Sequence, residues 1–150
     1  MDNDLLAAYK NAEYVVFADG LADNQFVMLV DKYSDALQRL MHQKDCKQAA
    51  FISAYNPRSH LLPESQNRIA HTQLKNQIQQ LGFKFINGEG QDPKGHWPAE
   101  KSLLVLNIDK HQAINIAKQW GQNALIWIGN DAIPRILLLD SQNNNLLPPS

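Results

Sequence analysis

The chain has 150 residues, 44% of them hydrophobic, and its 14 basic residues oppose 15 acidic ones for a net charge of −1. A chain of this length suits one domain burying roughly 70% of its unfolded surface. The charge balance lacks the basic excess by which proteins neutralise nucleic-acid phosphates, which sets duplex nucleic acid aside as a partner.

Residues 4–11 read as a short helix, with Leu5, Leu6 and Tyr9 at helical spacing. Residues 13–18 (EYVVFA) form a strand, Asp19-Gly20 begins a turn, and residues 26–30 (FVMLV) form a second strand. Ser34 is placed to cap a helix over 34–41 whose Ala36, Leu37, Leu40 and Met41 share one face. Residues 49–55 (AAFISAY) are a strand closed by Asn56-Pro57. The longest helix is expected from Pro63, a residue favoured in a first helical turn, to Leu81, with Gly82 just past its end. A short strand at 83–86 leads into a long connection, and the apolar run 102–107 (SLLVLN) reads as a strand covered on both faces. A helix follows over 110–120 with Gly121 as its stop. Strands at 124–128 and 135–140 are joined through Gly129-Asn130-Asp131.

The order α-β-β-α-β-α-β-β-α-β-β predicts a single α/β domain bordering on α+β over residues 1–140. It would be three-layer-like, a mixed sheet flanked by helices, with residues 141–150 as a frayed tail. No apolar run reaches the ~18 residues of a membrane span. The start Met-Asp-Asn-Asp-Leu-Leu has neither the basic nor the apolar part of a secretory signal. The single Cys46 has no internal disulfide partner and no metal-ligand spacing around it. A cytoplasmic location without membrane association is expected.

Strand directions converge on one edge of that sheet. The β-α-β unit made by 49–55, 64–81 and 83–86 makes its two strands parallel, so their C-terminal ends share an edge. The connection 87–101 holds no crossover helix, so strand 102–107 returns antiparallel and begins at that edge. Helix 110–120 then brings Gln122-Asn123 there as well. On the long helix, Asn67, His71, Leu74, Ile78 and Leu81 fall on one stripe at 100° per residue, and the polar pair at its start needs partners or a cleft. Four segments are therefore expected to form one polar site: 53–59, 67–71, 89–102 and 122–123.

Each candidate has two readings. Asn56-Pro57 either ends a strand in a turn or, with Ser59, holds a ligand. Arg68 either clamps a carboxylate or phosphate or pairs with Glu64 four residues earlier. His71 is either a half-buried structural histidine or a base. Trp97 either anchors the connection or stacks on a ring-bearing ligand. Glu89, Asp92 and Glu100 are the candidates for acid–base chemistry or for holding a hard cation such as Mg²⁺. Alternatively Glu89 and Asp92 cap turns and Glu100 pairs with a basic side chain. Gln122 either lines the site or satisfies the end of its helix. Ser53, Ser59 and Ser102 lack the G-x-S-x-G context of an activated nucleophile, and no metal-ligand set is specified.

The run Phe51-Ile-Ser-Ala-Tyr-Asn-Pro57 with Ser59 and Asn67, the run Gly88-Glu-Gly-Gln-Asp92, Gly95-His-Trp97, Glu100, Ser102-Leu-Leu-Val105 and Gly121-Gln-Asn-Ala124 together resemble a bacterial family catalogued as domain of unknown function 3293. The resemblance spans about residues 49–128. Lys101 stands where a proline or glutamate is expected and Pro63 where a capping serine is common. The family carries no established activity, so the resemblance implies only that these polar segments belong together.

The leading expectation is a polar cleft for a small anionic or nucleotide-like ligand, open to hydrolase or transferase chemistry. Its rival is a non-catalytic protein-interaction module in which the connection 88–102 and Trp97 form the binding surface. Single-stranded nucleic-acid binding through Arg58, Arg68, Lys75 and Trp97 is a third reading, disfavoured by the charge balance.

Overall fold

Ser34 starts a helix because its hydroxyl accepts the backbone N–H of Leu37 at 3.1 Å, one of the donors a helix start leaves free. Asp109 does the same for the last helix, accepting from the N–H of Gln112 at 2.9 Å. Gly82 and Gly121 end helices at φ +87° and +70°, a region glycine enters without steric cost. These signals place most element ends within a residue or two of the expected positions.

In the computed structural model, which describes residues 3–18 and 24–139, the chain runs α1 (Asn3–Asn11), β1 (Glu13–Val16), β2 (Phe26–Met28), α2 (Asp35–Gln43), β3 (Ala49–Ser53), a 3₁₀ turn (Pro57–Ser59), α3 (Glu64–Gln80), β4 (Phe85–Gln91), β5 (Glu100–Leu106), α4 (Lys110–Gln119), β6 (Ala124–Ile128) and β7 (Pro134–Leu138). This is the expected element order. The expected turn beginning at Asp19-Gly20 and the tail 141–150 lie outside the described residues.

All seven strands form one sheet in the order β2-β1-β4-β5-β3-β6-β7. Every pairing in it is antiparallel, which corrects the expected mixed sheet. The deduced directions nevertheless hold. β3 and β4 run the same way with β5 inserted between them, and β5 and β6 run the same way with β3 between them. Each crossover helix therefore spans a strand that fills the gap beneath it, and no two parallel strands become neighbours.

The ladder also shortens the long connection. β4 continues through Gly88-Glu-Gly-Gln91, pairing with β1 on one side and β5 on the other, and β5 begins at Glu100. Only residues 92–99 remain as the connection. The glycines hid this strand, because they show no side-chain alternation, yet the ladder requires one of them. A Cβ on Gly88 would lie 2.5 Å from the Phe51 ring and 2.6 Å from the Val15 carbonyl oxygen.

Two apolar cores cover the two faces. On one, Leu37, Leu40 and Met41 of α2 pack with Phe51, Leu104 and Ile126. On the other, Leu74 and Ile78 of α3 and Ala113 and Ala117 of α4 pack with Ile52 and Leu103. Leu81, expected on the buried stripe of α3, is exposed. β5 carries three fully buried residues in a row, Leu103, Leu104 and Val105, as expected of a strand covered on both faces. Among the described residues no helix is long and apolar enough to cross a membrane.

Candidate functional site

The C-terminal ends of β3 and β4 and the N-terminal ends of β5 and β6 meet at one edge, where the chain after β3 takes an unusual path. Asn56, Arg58 and Ser59 all have positive φ (45°, 56° and 62°). Non-glycine residues in this region cost of order 1–3 kcal/mol each, and they persist where surrounding structure holds them. Here Asn56 is held at every polar atom. Its backbone N–H donates to Asn67 Oδ1 (2.9 Å), and its Oδ1 accepts from Asn67 Nδ2 (2.8 Å) and from the Leu62 N–H (2.9 Å). Its Nδ2 then donates to Glu100 Oε2 at 2.7 Å. The Arg58 N–H donates to the Gly121 carbonyl at 2.6 Å, which ties this turn to the end of α4.

The turn, the connection 92–99 and α1 enclose a cavity of about 240 Å³ whose lining includes Tyr9, Asn56, Ser59, Trp97, Glu100 and Gln122. A smaller hollow of about 50 Å³ continues from it toward Tyr14, Ser53 and Ser102. Ser59 and Asn123 are joined by a 3.0 Å hydrogen bond, and Tyr9 Oη lies 3.3 Å from Ser59 Oγ. The Gln122 carboxamide donates to the Tyr55 and Trp120 carbonyls at 3.0 and 3.3 Å. Trp97 also packs against the α2-side core.

Glu100 is half-buried, and burial pushes its carboxyl above the usual carboxylate value, a shift the Asn56 amide partly offsets. Tyr14 is raised first by burial and further by the nearby Tyr9 and Glu100.

The remaining candidates lie elsewhere. Glu89 pairs with Lys101 across the ladder while Glu100 pairs with Gly90. Side chains alternate along a strand, so the two carboxylates point to opposite faces. Glu89 is on the α3 side, where it accepts from Gln91 Nε2 (2.8 Å). Arg68 is exposed and stands 3.5 Å from Glu64, and Tyr55 Oη donates to Glu64 at 2.7 Å. Asp92 caps a turn, its two oxygens accepting the backbone N–H groups of Lys94 (3.0 Å) and His96 (2.7 Å), which hold its carboxyl below the usual value. Among the described residues no group of three or more His, Cys, Asp or Glu is placed to hold a metal ion. The acidic trio therefore does not converge, and it offers no Mg²⁺ cage.

His71 is 93% buried (7% exposed) beside Tyr55, with Nδ1 unpartnered among the described residues. Burial, aided by Lys75 and Lys101, lowers its pKa from 6.5 to about 4. A base whose folded pKa is depressed contributes stability that is full above the unfolded value of 6.5 and is lost as pH falls toward about 4. The loss is on the order of 3 kcal/mol at 1.36 kcal/mol per unit. Glu100 works in the opposite sense: its raised folded pKa gives stability that is full below 4.5 and is lost as pH rises through the folded value. Urea melts of the wild type between pH 7 and 4 should show the His71 loss, and His71→Leu should flatten that part of the profile.

Fold and edge together define an α/β domain whose antiparallel sheet carries a hydrogen-bonded polar cleft at one end. Residues 52–125 match the family described as protein of unknown function (DUF3293), the family that the sequence resembles. The segment contains Asn56, Asn67, Glu100 and Gln122 but not Tyr9. Comparison with curated proteins and comparison with solved structures each gave no match.

Sequence reasoning assigned no site role to Tyr9 or Tyr14. Tyr9 sits in the apolar stripe of a short helix and Tyr14 in an apolar strand, patterns that signal packing. The lining also redirects the expectation of an anionic ligand. Among the described residues, Glu100 is the one carboxylate in the lining, and no Lys, Arg or His accompanies it.

Proposed function

We propose that this domain binds a small polar molecule in the cleft between α1, the Asn56 turn and Trp97. The observation that carries this reading is the cavity of about 240 Å³ at which Asn56, Ser59, Trp97, Glu100 and Gln122, drawn from separate stretches of the chain, converge. Concave sites with apolar walls and a few fixed polar groups are the usual form of small-molecule sites. Three left-handed residues in one turn, with Asn56 held by buried hydrogen bonds, fit a preorganised binding edge better than an ordinary connection.

Within this reading any proton transfer falls to Glu100. Its carboxyl is pushed upward by burial, toward the range useful to a general acid or base. Glu89 faces the other side of the sheet, and the oxygens of Asp92 are occupied by backbone donors. Asn56 is then a positioning residue that orients Glu100. A filled edge would favour the interaction-module reading, and the cavity at this edge supports the ligand reading instead.

A thermal-shift screen of chemically varied small molecules tests the proposal. A ligand at tenfold its Kd stabilises by about 1.4 kcal/mol, which raises Tm by roughly 3–5 °C for a chain of this size. Trp97→Ala should abolish the shift produced by each hit. Hits that survive this substitution unchanged place binding elsewhere, and the cleft reading then fails.

A further inference from the structure

The cleft's ligand class follows from which hydrogen-bonding capacity its walls leave unused, an argument that rests on the cleft being a binding site. Two carboxamides there have orientations set by their surroundings. Gln122 faces two backbone carbonyls, which only accept, so its NH₂ must point at them. Its Oε1 is left as the group it can offer. Asn56 accepts a backbone N–H at Oδ1, so its NH₂ must face Glu100. That leaves Glu100 Oε2 engaged and Oε1 without a partner among the described residues. Ser59 and Asn123 bond to each other through a hydroxyl, which can turn either way.

Apart from the second N–H of the Asn56 carboxamide, the fixed capacity that the described residues leave in the cleft is acceptor, and it carries one negative charge. No basic residue answers that charge. Arg58 lies in a separate hollow with His60 and Trp120, and Arg68 stands beside Glu64. The segments outside the described residues contain no lysine, arginine or histidine, so none can be supplied from there. Trp97 and Tyr9 add aromatic surface to the walls, and the face of such a ring attracts a cation. A carboxylate in this setting discriminates strongly. An anion would meet an uncompensated charge in a poorly solvated wall. A donor-bearing cation would gain a charge-assisted hydrogen bond.

We propose that the cleft recognises a planar nitrogen cation, of the amidinium, guanidinium or protonated amino-heterocycle class, through Glu100 and Gln122 with Trp97 as the stacking wall. Glu100 supplies charge and one acceptor, Gln122 a second acceptor, and Asn56 holds Glu100 in place.

The test uses three probes of the same shape and different charge: benzamidine (cation), benzamide (neutral) and benzoate (anion). Each is titrated into the full-length protein and followed by amide chemical shifts. Benzamidine should bind at least tenfold more tightly than benzamide, with shifts centred on Glu100, Gln122 and the Asn56 turn, and benzoate should not bind. Glu100→Gln should remove the preference for benzamidine over benzamide. Equal or tighter binding of benzoate overturns the ligand class while leaving the cleft as a binding site. A benzamidine preference that survives Glu100→Gln overturns it as well. Absence of cleft shifts with all three probes defeats both this inference and the cleft reading. The wild-type comparison of three probes decides the ligand class even if the variant folds poorly.

Discussion

Gly88→Ala is expected to destabilise the protein by about 3 kcal/mol or more. The new Cβ would lie 2.5 and 2.8 Å from two atoms of the Phe51 ring and 2.6 Å from the Val15 carbonyl oxygen. The ring cannot swing freely, because Phe51 is 96% buried (4% exposed) and meets Tyr14 edge-on at 5.7 Å. The carbonyl belongs to β1, the neighbouring strand of the ladder, so relief requires β1 and β4 to part. Gly90→Ala is the control, since its Cβ meets only the Tyr14 ring, at 3.9 Å. Urea denaturation of both variants measures the difference. A Gly88→Ala protein within 1 kcal/mol of the control would mean that the ladder does not approach as closely as described.

Asn67→Ala should cost about 3 kcal/mol and also disturb the cleft. Asn67 is 98% buried (2% exposed) and gives Asn56 both an acceptor for its N–H and a donor for its Oδ1. Removing it strands a buried backbone N–H, which costs about 1–3 kcal/mol by itself. It also releases one constraint on a left-handed residue. The two effects are separable. Stability is read by urea melts, and the titration of Glu100 by carboxyl NMR. Once Asn56 no longer holds Glu100, the pKa of that carboxyl should rise further, because the Asn56 amide is what lowers it. Unchanged Glu100 titration in Asn67→Ala would show that Asn56 needs no support from α3.

Much of the architecture was legible because local signals agreed with global ones. Ser34, Asn56-Pro57, Gly82 and Gly121 mark ends by mechanisms that depend on a few atoms. The shared edge followed from strand directions, which helix crossovers constrain whatever the order of strands in the sheet. Strand order itself was not legible. Nothing in 102–107 says that it inserts between β3 and β4, since neighbours are chosen by how whole faces pack. The extent of β4 was hidden for a different reason, because alternation cannot be read through Gly88 and Gly90.

The division of the acids was hidden by register. A shift of one residue reverses which face a side chain occupies, so Glu89 and Glu100 could be assigned to opposite sides only once Glu89 was paired with Lys101 and Glu100 with Gly90. Tyr9 shows the same limit at the level of a whole element. Its helix has no buried residue, and only the position of α1 beside the Asn56 turn brings that phenol to the cleft.

The insertion of β5 also dictates an order of events during synthesis. When the chain has emerged only as far as β4, strands β3 and β4 have no partner between them, and both present unpaired edges. Such edges are exposed to association with other chains until they are filled. β5 must arrive before either crossover can close, and its pairing with β3 joins residues separated by about fifty positions. Non-local pairings of this kind slow folding, because loop entropy is lost before contacts form. A nascent chain stalled just short of Glu100 would therefore be more prone to aggregation than one stalled after Leu106. The strand whose first residue carries the carboxyl of the cleft is also the strand on which completion of the sheet depends.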